Sequence, residues 1–162
     1  MTKIDLLNDF KLFIENATKN FSLPTAIQRG DTEQIFRAPE IHKMRLPNSE
    51  DAKKKAPYII VQYLTGKDFQ KHSQQSQSHA VIRLVFAVYG NDEEEGALSL
   101  LNLMETVRIA IMKNVLISPR FKVDTDAEVE SLVYPDDTAP YYAGEIMCTV
   151  LMPPTEREVF YG

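Results

Sequence analysis

Apolar residues recur at two spacings along this chain, and the switches between them mark its elements. From Thr2 to Lys19, Ile4, Leu6, Leu7, Phe10, Phe13, Ile14 and Ala17 follow the helical period, with Thr2 placed to cap. From Ala80 to Tyr89 the spacing shortens to two. Ile82, Leu84, Phe86 and Val88 share one face, while Val81, Val85, Ala87 and Tyr89 share the other with Arg83. A strand apolar on both faces is covered on both, so this one is central or meets another molecule with its second face. Asn91 or Asp92 then caps a second helix, with Glu93–Glu95 where its dipole favours negative charge. Ala97, Leu100, Leu101, Met104, Val107, Ile111 and Val115 form its stripe, and Pro119 stops it after Ser118. Leu98, Leu103, Ile109 and Ala110 fall outside that stripe, which predicts a helix buried on more than one side. Arg108, one turn from Glu105, reads as one half of an ion pair at the rim of the stripe.

Shorter strands surround this unit. Ile35–Arg37 and Ile41–Leu46 are short extended pieces, the second bracketed by Pro39 and Pro47 as on a sheet edge. Pro57 opens a strand over Tyr58–Leu64. Phe121–Asp124 and Val129–Tyr134 follow the second helix, and the last strand carries Ile146, Cys148, Val150 and Met152 on one face before Pro153–Pro154. Asn48–Ala56 is a polar loop with a lysine run, and residues 154–162 form a C-terminal tail. Thr65–His79 is strongly polar and joins two strands, so it reads as a long hairpin with a mobile tip. Phe69 is its one large apolar residue. With Lys67, Asp68, Lys71 and His72 around it, Phe69 is the natural anchor for a partner.

Composition narrows the class. The 162 residues suit one domain spanning 1–162, and 44% hydrophobic with 25% charged residues argues for a globular core over disorder. No apolar run is long enough to cross a bilayer, and Met1–Asp5 leads into a helix without a signal-peptide core. The net charge of -5 argues against general or sequence-specific nucleic-acid binding. That charge is uneven. Residues 1–80 hold 12 Lys+Arg and 9 Asp+Glu (+3), residues 81–162 hold 6 and 14 (-8), and the two sum to -5. Such a split suits contact between the basic part of one copy and the acidic part of the next.

Candidate chemistry is sparse. His42, His72 and His79 have no paired metal-ligand spacing, and two of them fall in the polar loop. Asp124, Asp126, Glu128 and Glu130 alternate as on a solvated strand and lack the order of a calcium loop. The single cysteine, Cys148, excludes an internal disulfide, fits a reducing cytoplasm, and sits among apolar residues as a small hydrophobe. Phosphate-loop, nucleophile-elbow and His-Glu-x-x-His motifs are missing, so neither an enzyme nor a cofactor is expected.

The order of elements carries a resemblance. An N-terminal helix leads to Ala56-Pro57-Tyr58-Ile59-Ile60-Val61-Gln62, and a polar hairpin leads to Ile82–Tyr89. One long helix then contains Leu100-Leu101-Asn102-Leu103-Met104-Glu105. Finally Pro140-Tyr141-Tyr142-Ala143-Gly144-Glu145 opens a strand closed by Met152-Pro153-Pro154. Over most of residues 57–154 this resembles the tail-terminator and tail-completion proteins of long-tailed bacteriophages. The resemblance implies an α+β fold, with a mainly antiparallel sheet of about four to six strands and two principal helices packed on it. It also implies a homo-oligomeric ring, of six copies in most of the family, that caps the tail tube and ends its polymerisation. Its implied partners are the tail tube protein and the head–tail connector. Its place is the virion tail, assembled in the bacterial cytoplasm. Another neck or connector component, a small cytoplasmic enzyme with a hidden site, and a monomeric binding module using Thr65–His79 remain as alternatives.

Overall fold

The computed structural model describes residues 1–27, 30, 33–47, 52, 54–70, 75–135 and 139–155. Helix α1 spans Lys3–Thr18. Thr2 and Asp5 close a capping box, with the Thr2 amide donating to the Asp5 carboxylate at 2.8 Å and the Asp5 amide to Thr2 Oγ1 at 3.2 Å. These bonds satisfy donors that a helix start leaves unpaired. Two short strands, β1 (Leu23–Pro24) and β2 (Phe36–Arg37), pair with each other.

The main sheet is built from β3 (Glu40–Lys43), β4 (Tyr58–Phe69), β5 (Gln77–Tyr89), β6 (Leu116–Ser118), β7 (Phe121–Val123), β8 (Glu130–Val133) and β9 (Tyr141–Met152). Its order is β3-β4-β5-β9-β7-β6, and β8 also pairs with β9. Only the β3–β4 pair is parallel. β5 is therefore central, as its two-sided apolar pattern predicts, and β3 takes the edge that Pro39 and Pro47 signalled. β7 and β8 lie end to end along the same flank of β9, opposite Val150–Leu151 and Gly144–Met147.

Helix α2 (Glu93–Asn114) connects β5 to β6 and packs with α1 on one face of the sheet, giving the α+β architecture. Asp92 caps it, accepting from the Glu95 amide at 3.0 Å. Between helices and sheet lies the core. Ile82, Leu84, Phe86 and Val88 from β5 and Ile146, Cys148 and Val150 from β9 meet Phe10, Ile14, Leu103 and Val107 there.

Three sequence expectations need correction. The helix does not reach Ser118: it ends at Asn114, Val115 takes a positive φ of 59°, and Leu116–Ser118 turn back as β6. The Val115 carbonyl accepts from the Val123 amide at 2.7 Å, so pairing with β7 outweighs continuation of the helix. Leu103 is buried in place of Leu101, and Leu98, Leu101 and Met112 stay exposed, so α2 buries one side within the chain. Residues 124–129 form no strand. The Asp124 side chain and carbonyl hold a turn by accepting from the Asp126 and Ala127 amides, which breaks the expected row of carboxylates. The long hairpin expected over Thr65–His79 is present, with β4 running to Phe69 and β5 starting at Gln77. Lys71, His72, Asp136, Asp137 and the tail from residue 156 lie outside the described residues.

Candidate partner-binding surface

The hairpin of β4 and β5 continues past Tyr63 as a largely exposed arm. Tyr63 faces Ile82 and Thr65 faces Val81, so Leu64 is an extra residue, a β-bulge. Beyond it Thr65, Lys67 and Phe69 lie on the face turned away from the helices, opposite Val81, His79 and Gln77. Asp68 points to the other face and bonds with Ser78. The five residues named as a partner anchor are thus divided. Lys67 and Phe69 share a face, Asp68 does not, and Lys71 and His72 lie outside the described residues. β9 accompanies the arm as far as Met152 opposite Ser78. Phe69 remains 44% exposed, with its ring edge-on to His79 at 6.4 Å.

His79 is not the solvated loop histidine that its neighbours suggest. Its Nδ1 lies 3.5 Å from Asp124 Oδ2, across β9, and both groups are largely covered. Sequence reasoning missed this pair because the two residues meet only through the register of a third strand. Together with Gln77, Asp126, Leu151 and Pro154 they line a shallow cleft at the base of the arm.

The sheet face away from the helices is the second feature. At one end it is covered by the connection before β4: Ala26 and Ala56 pack on Ala87 and Tyr89. Further along it is half-buried and mixed in character. Arg83 donates from Nε to Gln62 Oε1 at 2.9 Å, and the same nitrogen lies 3.9 Å from Glu145 Oε2. Burial, then the negative charge of Glu145, holds the Tyr134 phenol above its ordinary pKa. Burial does the same for Tyr58, with Tyr134 as the smaller cause. Phenols shifted in this direction keep their protons, the opposite of what a base or nucleophile needs.

Elsewhere the chemistry is also quiet. Burial pushes the Cys148 thiol up to about 12, so it holds no thiolate. Arg108 and Glu105 form the expected pair, with bonds of 2.9 and 2.8 Å that lower the carboxyl and raise the guanidinium. Among the described residues no three His, Cys, Asp or Glu side chains gather as metal ligands. No helix among the described residues is long and apolar enough to cross a membrane.

Both lateral edges of the sheet stay partly open. β3 covers β4 only from Tyr58 to Val61, so among the described residues no strand pairs with the outer flank of Leu64–Phe69. β8 is exposed at all four residues, and among the described residues it pairs with β9 alone. The class defined by these features is an α+β domain with helices on one sheet face, a projecting arm and free strand edges. The chain matches no protein-family model, and no curated protein is significantly similar to it in sequence.

Proposed function

We propose that this chain is a structural virion protein, a tail terminator. As a ring it caps the phage tail tube, ends tube polymerisation and joins the tube to the head connector. The observation that carries this reading is the arm, where β4 carries an exposed Phe69 while strand edges stay unpaired among the described residues. Unpaired edges promote association, and monomers commonly blunt or cover them. The resemblance over residues 57–154 supports the same reading. So does the uneven charge, because heterologous contacts between unlike patches close into rings where the rotation permits.

The partners on this reading are further copies of the chain, the tail tube protein and the connector, and the place is the virion tail. Tail-tube protein polymerised with and without the purified chain tests it. Tubes of limited length bearing a ring at one end are expected, and unaltered tube growth refutes the reading. Replacing residues 67–78 with a short Gly-containing turn leaves Gly66 and Ala80 paired and the core strands intact. In a complementation assay that variant loses head–tail joining or length control. Normal infectious particles would reduce the arm to a spacer.

A further inference from the structure

We propose that copies of this chain join edge to edge by β-strand pairing, the Leu64–Asp68 flank of one copy against β8 of the next. The proposal rests on the ring reading above and says how the ring closes.

Strand polarity comes first. β4, β5, β9 and β8 are neighbours in that order, and each successive pair is antiparallel. β4 and β8 therefore run in opposite directions on opposite edges. A second copy, rotated about an axis roughly along the strands, brings its β4 beside β8 as an antiparallel partner. That is the pairing two free antiparallel edges accept.

Side-chain parity comes second. Residues directly opposite in an antiparallel pair share a face. On the arm, Thr65 and Lys67 lie on the face away from the helices. On β8, Glu130 and Leu132 lie on that face too, opposite Met147 and Glu145. A register setting Lys67 against Glu130 also sets Thr65 against Leu132, Leu64 against Val133 and Gly66 against Ser131. It pairs opposite charges. It also covers Leu132 and Val133, which are 47% and 46% exposed, with Leu64 at 40% on the facing edge. A shift of one residue would turn every pair to the wrong face.

Geometry comes third. Leu132 is level with Ile60, through Glu145 and Val85. On the ladder to β5, Thr65 lies four positions beyond Ile60, because Ile60 faces Val85 and Thr65 faces Val81. Each copy is then displaced from the last by about 13 Å along the strands, at about 3.3 Å per position, over a width of about 19 Å for four strands. Those two lengths correspond to a strand tilt of about 35°, within the roughly 35–45° of closed sheets. The stagger selected by charge and parity is thus compatible with a closed sheet.

Cysteine pairing tests this. Thr65→Cys with Leu132→Cys places two exposed thiols opposite each other across the junction, and the native Cys148 is buried and silent. Mild oxidation of the double variant should give a ladder of covalent multimers up to a closed ring on non-reducing gels. Each single variant should stay monomeric under the same denaturing conditions. Lys67→Glu and Glu130→Lys should each weaken association about threefold to tenfold, and together restore it. Three results overturn the proposal: monomers throughout, single-cysteine dimers as abundant as the ladder, or oligomers by native mass spectrometry without the ladder. A missing ladder with tubes still capped removes the edge pairing alone. A ladder with tubes uncapped removes the function and leaves the assembly.

Discussion

Gly96→Ala sets two effects of known size against each other. Gly96 is the fourth residue of α2, where alanine is favoured over glycine by about 1 kcal/mol on helix propensity. Propensity alone therefore predicts stabilisation. Packing predicts the reverse, because a β-carbon at Gly96 would press on Cε2 of the Tyr142 ring, with Cδ2 at 2.8 Å and Cζ at 3.0 Å. The helix cannot retreat, since a β-carbon on Gly90 would already lie 2.7 Å from the Gly96 Cα. The end of β5, the start of α2 and Tyr142 are stacked as closely as backbone allows. Overpacking of this kind costs about 1–3 kcal/mol. The expected balance is a loss of up to about 2 kcal/mol, or up to about 8 °C in Tm for a chain of this size. Thermal and urea unfolding followed by circular dichroism measure it. In a Tyr142→Ala background the obstacle is gone, and the same change should be neutral or stabilising by up to about 1 kcal/mol. A raised Tm in the native background, or equal effects in both, would refute the packing argument.

Other perturbations probe other layers. Asp9 accepts from Ser118 Oγ at 2.8 Å and from Arg120 at 2.7 and 3.1 Å, and the Arg120 bond chiefly lowers its pKa. Its contribution is full above the unfolded carboxyl pKa of about 3.9 and is lost as pH falls through the lower folded value. Asp9→Asn should thus cost about 1 kcal/mol in urea unfolding at pH 7, and the difference between the two proteins should shrink as the pH falls through the lowered folded value. Cys148, 1% exposed and with its thiol pushed up to about 12, should resist alkylation at pH 8 until denaturant is added. Rapid native labelling would show that β9 is less covered than described. Phe86→Asp buries an unpaired charge at a wholly buried position and should prevent folding, which a soluble, cooperatively melting variant would contradict. Self-association should weaken with added salt, because attraction between unlike surface charges is screened within about 8 Å at physiological ionic strength. Sedimentation at low and high salt measures that.

Much of the framework was legible in the chain because it rests on strong periodicity. The α1 stripe and its Thr2 cap, the buried face of β5 and the Ile146–Met152 face each stand in one regular pattern. Elsewhere the pattern was ambiguous for a physical reason. Leu100, Leu101, Leu103 and Met104 put four apolar residues in five positions, so periodicity could not choose between Leu101 and Leu103. Tertiary packing chose Leu103. The helix end was misplaced because Val115 and Leu116 extend an apolar run that serves either element. A strand beginning with those residues exists only because β7 folds back to pair with it. The strand bounds within the arm were hidden for the opposite reason. Thr65–Phe69 and Gln77–His79 show no hydrophobic alternation, and they become strand by continuing the β4–β5 register outward past the Leu64 bulge.

The candidate surface was less legible still, because openness belongs to what a strand lacks. Nothing within Leu64–Phe69 marks it as an edge. It is an edge because β3 ends at Lys43, where Met44 takes a positive φ of 66° and the chain turns away. β8 is an edge because β6 spans three residues and flanks β7 alone. Each free flank is thus set by the length of a different, shorter strand. What the chain does carry locally is parity: Lys67 and Glu130 fall on one face, two residues from Thr65 and Leu132. Parity within one copy has no consequence until a second copy supplies the opposite edge. On the proposed edge pairing, a pattern distributed in this way specifies an assembly without advertising itself in either strand, and a search for catalytic or metal-binding motifs passes over it.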